Sequence, residues 1–228
     1  MINAIANESL AILVATTINC SGSSTPPHIT INPYSDDIVY EYAYTSAQLG
    51  QKETDTISPY GVNVDTATGG LREDRPEISM EVHWKTMTFR NGSSCIWYDN
   101  IKVNIHLQPK IYIAKEFQYS PCKEAIMKHE LKHVQVDRDV MNKYAKLIGK
   151  SVQTAVNGFD EKGPYKAYQL QDAQEKMANQ VREAVMAYQQ PLNEEMHRLQ
   201  SKVDSLQEYQ AVNPYCEKVM QSLQRYKR

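Results

Sequence analysis

No run of basic residues stands out anywhere in the 228 residues: 25 Lys and Arg face 27 Asp and Glu, a net charge of -2. Such a chain offers no electrostatic footprint for a polyanion, which argues against nucleic acid as a partner. Paired cysteines are also missing. Cys20, Cys95, Cys122 and Cys216 lie far apart, with no CxxC spacing for a thiolate zinc site or a redox motif, and read as disulfide partners or free thiols. The apolar run Leu10-Ala11-Ile12-Leu13-Val14-Ala15 is too short to span a bilayer as a helix, and no internal repeat is evident.

That run has no positive residue before it, yet Cys20 and the Ser-, Gly- and Pro-containing stretch Ser21 to Pro27 follow it. The expectation for residues 1–28 is an export segment and tether, with lipidation of Cys20 as a membrane anchor. Against this stand the uncharged start and Asn19, where a small residue is expected before a lipidated cysteine.

At 41% hydrophobic and 23% charged, the chain can bury a sizeable core, and residues 29–228 are expected to form one unit. Residues 29–115 read as β-rich. Ile78, Met80, Val82 and Trp84 alternate onto one face, as do Ile101, Val103, Ile105 and Leu107; Ile38 to Tyr42 and Ile111 to Ile113 are shorter versions. Gly69-Gly70 and Asn91-Gly92 read as turns, and with no helix between these strands the sheet is expected to be mostly antiparallel.

Residues 120–228 read as helical. After Ser120-Pro121 the period changes, with Ile126, Val134, Met141 and Ile148 in one stripe, until the breakers Asn157-Gly158 and Gly163-Pro164. From Tyr165 to about Tyr209 a second apolar stripe runs through Leu192, Met196, Leu199 and Val203, so one long helix is expected, kinked at Pro191. The fold class is therefore α+β, a mostly antiparallel sheet followed by a long antiparallel helical hairpin.

On the first helix stands His129-Glu130-Leu131-Lys132-His133. Four residues place both imidazoles on one side of a helix, one turn apart, where they can share a metal ion. Glu130 sits beside them as the general base does in the HExxH arrangement. The bland alternative is two surface histidines. His83 and His106 fall on polar strand faces and His28 in the tether, so none is a first choice as ligand.

A catalytic zinc needs a third protein ligand. Asp137 continues the series, but eight helical residues rise about 12 Å, so it is expected instead as an acceptor for the His133 imidazole. With a hairpin turn at residue 160 or 161, the motif faces positions 188 to 192. Glu195 is then the expected third ligand, with Glu194, His197 and Glu183 as rivals, and Tyr188 a candidate oxyanion partner. The same hairpin favours a Cys122–Cys216 disulfide, with Cys95–Cys122 as the alternative.

The stretch Lys128-His129-Glu130-Leu131-Lys132-His133-Val134-Gln135-Val136-Asp137-Arg138-Asp139 resembles the zincin-type metallopeptidases. More narrowly it is similar to bacterial secreted proteins predicted to be zinc-dependent proteases, a likeness that extends to Cys95–Ala114, Val203–Tyr209 and Cys216. Only His129, Glu130 and His133 are carried over; no downstream glycine-histidine signature of the metzincin kind follows. The resemblance implies a peptidase with zinc as cofactor and a peptide or protein substrate; the strand Ile101 to Leu107, read as the sheet edge nearest the motif, is expected to hold that substrate by strand addition. Two other functions stay open: a non-catalytic envelope or partner-binding protein, and a metallohydrolase acting on a non-peptide substrate.

Overall fold

The computed structural model describes residues 18–21, 25–52 and 68–226; the expected export run lies outside them. In chain order come β1 (His28–Ser35), β2 (Val39–Glu41), α1 (Ser46–Leu49), β3 (Gly70–Glu73), β4 (Glu77–Thr88), β5 (Ser93–Leu107) and β6 (Lys110–Ile113). They are followed by α2 (Cys122–Asn157), β7 (Tyr165–Lys166), α3 (Leu170–Met186), α4 (Gln189–Val203) and α5 (Leu206–Tyr226). The class is α+β, as the change of period at Pro121 requires.

The larger sheet has the order β1-β5-β4, with β7 on the start of β5. Alternation on β5 sends Ile101, Val103, Ile105 and Leu107 into the core, while Lys102, Asn104 and His106 face the other way. β4 and β5 form a hairpin whose Gly92 has φ +79, a left-handed conformation that glycine adopts without strain. The pairing is mostly antiparallel, through β4–β5, β5–β7 and β3–β6, but both sheets are mixed: β1 runs parallel to β5, and β2 runs parallel to β6. Parallel neighbours need a long crossover, and here the intervening strands supply it, which a search for helices between strands does not detect.

Gly69 and Gly70 do not make a turn. Gly70 opens β3, and a Cβ there would lie 2.4 Å from Ile126 Cγ2 and 2.8 Å from Glu130 Oε1, so the strand lies against α2 only because this residue lacks a side chain.

α2 is 36 residues long, about 54 Å at 1.5 Å per residue. Its second half packs Val140, Met141, Tyr144, Ile148 and Val152 into a core shared with β5, α3 and α4. Its first half joins Ile126 and Val134 to Leu49, Ile111, Ile113 and Phe117.

The return arm is broken where one helix was expected. Helical structure stops at Ala187-Tyr188 and again at Asp204-Ser205. Pro191 sits in the first turn of α4, where a missing N–H removes no helical hydrogen bond. The contacts Tyr144–Glu195 and Cys122–Cys216 place the centre of the hairpin near residue 169, not 160. The chain after Gly158 is no tight turn: it adds β7 to the sheet and a 3-10 turn at Ala167–Gln169 before the next helix starts.

All four cysteines are paired, Cys122 with Cys216 as expected and Cys95 with Cys20 instead of Cys122. Disulfides of this kind belong to an oxidising environment. A sulfur in a disulfide cannot also carry a thioether lipid, so the expected tether through Cys20 is incompatible with this pairing. No helix among the described residues is long and apolar enough to cross a membrane.

Candidate metal centre

The buried stripe of α2 reads Ile126, His129, Glu130, His133, Val134, Asp137, Val140, Met141. Helix geometry carries all of them to the same side, and in an ordinary amphipathic helix they would be apolar. Burying four hydrogen-bonding or ionisable groups within about three turns is costly unless each has a partner. Across from them α4 does the same: its buried positions Leu192 and Met196 continue at four-residue steps to Gln200 and then to Asp204, just past the helix end.

Three of these side chains converge. His129 Nε2 and His133 Nε2 each lie 3.2 Å from Asp204 Oδ1 and 3.3 Å from one another. They form the one group of histidine, cysteine and carboxylate ligands among the described residues with the spacing of a metal site, and all three residues are buried. The Tyr209 hydroxyl also donates to Asp204 Oδ1, at 3.2 Å, and its ring stands edge-on to His129 at 5.3 Å. Burial works against the His133 imidazolium, but the Asp204 hydrogen bond and the Glu130 charge outweigh it and raise its pKa.

Glu130 is 6% exposed and lies on the β3 side of α2, in the space left by Gly70. Burial raises its pKa, opposed by the charges of His133 and His129. A carboxyl that holds its proton more tightly than usual is suited to accept one from water near neutral pH.

A second layer supports the histidines. His133 Nδ1 meets Gln200 Oε1; Gln200 Nε2 donates to Asp137 Oδ1 at 2.6 Å and to the His133 carbonyl at 3.1 Å. Arg72 of β3 closes this layer, with Nη2 3.3 Å from Asp137 Oδ1 and Nε 3.2 Å from Oδ2, the latter an ion pair off the hydrogen-bond axis. Asp137 is thus not the direct acceptor for His133; Gln200 stands between them. Burial pushes Asp137 up to about 7 against the pull of Arg72.

Glu195, the expected third ligand, is elsewhere. Its Oε2 takes Lys143 Nζ at 2.6 Å and the Tyr144 hydroxyl at 3.1 Å, and the Lys143 hydrogen bond lowers its pKa. The hairpin centre near residue 169 accounts for this, because the part of the return arm facing His133 is residues 200 to 204. Glu194 accepts from Gln190, Glu183 is exposed, Tyr188 packs on Tyr144, and His197 lines a cavity of about 350 Å³ on the far side of Gln200. His106 stacks on Tyr34 and His83 is exposed beside Glu81. The segment Ile101 to Leu107 lies between β1 and β4, so it is no free edge for a peptide. The third converging donor had a signal of its own: a polar pair, Gln200 and Asp204, continuing an apolar four-residue step.

A cleft of about 670 Å³ between the first half of α2 and α5 reaches the centre at His129 and is lined by Lys128, Lys132, Glu208 and Tyr215. No family model matches this chain, and no curated protein or solved structure matches it either.

Proposed function

We propose that the chain is a zinc-dependent hydrolase, and specifically a peptidase, acting in an oxidising compartment outside the cytoplasm. The observation that carries the reading is the triangle of His129 Nε2, His133 Nε2 and Asp204 Oδ1, with edges of 3.2, 3.2 and 3.3 Å. A tetrahedral zinc with donor bonds of about 2.0–2.1 Å holds its donors about 3.3–3.4 Å apart, so the three atoms already have the spacing of three corners. Two imidazoles and one carboxylate also suit zinc as a donor set, and three protein donors leave a fourth corner for water.

Zinc held there would supply Lewis acidity and a water nucleophile at neutral pH. The rest falls to the chain. Glu130 accepts the proton of the attacking water and returns it to the leaving amine. Tyr209, whose hydroxyl is 3.2 Å from the ligand oxygen of Asp204, is the donor placed to meet negative charge on the carbonyl oxygen. The buried walls, with His129, Glu130, His133 and Asp204 each no more than 8% exposed, keep bulk water from competing for these hydrogen bonds. Export is supported by both disulfides, which a reducing cytoplasm would not maintain.

The test is metal analysis of protein purified without chelators, joined to a peptide-library digest. About one zinc per chain with cleavage that His129→Ala and His133→Ala abolish is the expected result. Absence of transition metal, with none taken up on titration, ends the reading and leaves the partner-binding one. Zinc without peptide cleavage moves the choice to a non-peptide ester or amide.

A further inference from the structure

We infer that Gln200 is a positioning residue: its side-chain amide, oriented by Asp137 and Arg72, holds His133 in the tautomer whose Nε2 lone pair faces the metal centre. The inference rests on the metal reading for its purpose, but the geometry is independent of it.

The argument begins at the group with no choice. An arginine guanidinium only donates, so Asp137, 3.3 Å from Arg72 Nη2 and 3.2 Å from Nε, turns accepting oxygens toward it. Gln200 Nε2 lies 2.6 Å from Asp137 Oδ1 and 3.1 Å from the backbone carbonyl of His133. A backbone carbonyl can only accept, so the atom between these two oxygens is the NH2, and the ambiguity that usually attends a glutamine amide is removed. The other end of the amide is then Oε1, and it meets His133 Nδ1. A carbonyl oxygen cannot donate, so Nδ1 carries the hydrogen. In neutral imidazole the second nitrogen is then the acceptor: Nε2 turns its lone pair toward His129 Nε2 at 3.3 Å, while Asp204 Oδ1, 3.2 Å from both Nε2 atoms, takes its hydrogens from His129 Nε2 and the Tyr209 hydroxyl.

His129 differs: its Nδ1 is buried and makes no hydrogen bond to a described residue. The relay therefore pre-sets one imidazole of the pair. It also ties β3, which carries Arg72 and the Gly70 that makes room for Glu130, to a metal ligand on α2 through a residue of α4. Gln200 is 1% exposed, so solvent does not compete for either end of its amide.

The test uses full-length protein labelled with nitrogen-15 in histidine, freed of metal and held alkaline enough to keep both imidazoles neutral. Long-range proton–nitrogen correlation then distinguishes the two tautomers of His133 directly. Wild type is expected as Nδ1–H. In Gln200→Leu the preference should be lost, and zinc affinity, measured by chelator competition, should fall about 10–100-fold, the usual cost of removing such a support. Gln200→Met, which keeps the unbranched shape without an amide, serves if the leucine variant does not fold, and should also lose the preference for Nδ1–H. A purely structural role would lower stability in these variants and leave the tautomer as it is. Nε2–H in wild type, or an unchanged tautomer in both variants, overturns the inference. A wild type that shows Nδ1–H but binds no zinc overturns the metal reading and leaves the relay standing.

Discussion

Glu130→Gln sets function against stability at one atom pair. The glutamate is 6% exposed, its pKa is raised by burial, and Gln has nearly its shape, so the variant fits the space beside Gly70 without moving β3. Losing a general base of this kind slows turnover by about 10²–10⁴-fold, or about 3–5 kcal/mol in the barrier at 1.36 kcal/mol per decade. Zinc should stay, because none of the three converging donor atoms belongs to residue 130. Thermal stability of the metal-free protein should be no lower than that of wild type, since a neutral amide replaces a carboxyl whose charged form is penalised by burial. The assay is peptide hydrolysis with measured zinc content, beside calorimetry in chelator. Wild-type kcat in the zinc-loaded variant would refute the assignment of Glu130 as base, and loss of zinc would make it a ligand.

Other substitutions and conditions test the remaining parts. Asp204→Ala should release zinc in equilibrium dialysis while Glu195→Ala, which removes contacts with Lys143, Tyr144 and Arg198 away from the centre, retains it; the reverse outcome would restore the sequence-derived ligand set. Tyr209→Phe should keep zinc and lower kcat more than it changes KM, by about 10-fold or more if the hydroxyl meets the oxyanion. From about pH 5 to about pH 8 the dependence of metal-free stability follows from four raised values, those of Asp137, Glu130, Asp74 and His133, which all act in one direction. Between its ordinary 3.8 and about 7, Asp137 holds a proton in the folded state that the unfolded state has lost, so stability falls as pH rises through that window. Glu130 acts in the same direction from 4.5 upward, and the His133 contribution is complete below 6.5 and is lost as pH passes its raised folded value. The melting temperature in chelator should thus rise on going from about pH 8 to about pH 5, whereas zinc, which displaces the His133 proton, should bind more weakly over the same change. Paired Cys122→Ser and Cys216→Ser replacements open a loop with a sequence separation of 94 that contains His129, His133 and Asp204, and should cost about 4–5 kcal/mol in denaturant unfolding together with weaker zinc binding.

The parts of the centre legible in the chain are those that depend on local geometry. His129, Glu130 and His133 are fixed relative to one another by a single helix turn, and the apolar stripe from Ile126 to Ile148 announces that helix without any knowledge of its neighbours. Alternation likewise exposes β4 and β5, and the breakers after Val156 end α2. Asp137 was legible as a residue near His133 but not as the far end of a relay, because its role depends on Gln200 arriving from another element.

What sequence alone determined, then, is the class of fold, the helix that carries the motif, and two of the three converging donors. Tertiary structure decided the third. Asp204 is separated from His133 by 71 positions, and which residue of the return arm meets the motif depends on how much chain the connection consumes. Here β7 and the 3-10 turn consume enough to move the facing residues from the region of 190 to 200 and beyond. Asp204, one four-residue step beyond Gln200 and still bonded through its N–H to the Gln200 carbonyl, then presents its carboxylate on the same buried side. Periodicity reports which face of an element is buried, whereas the register between two elements is set by packing and by the path of the chain joining them, and no local pattern encodes it.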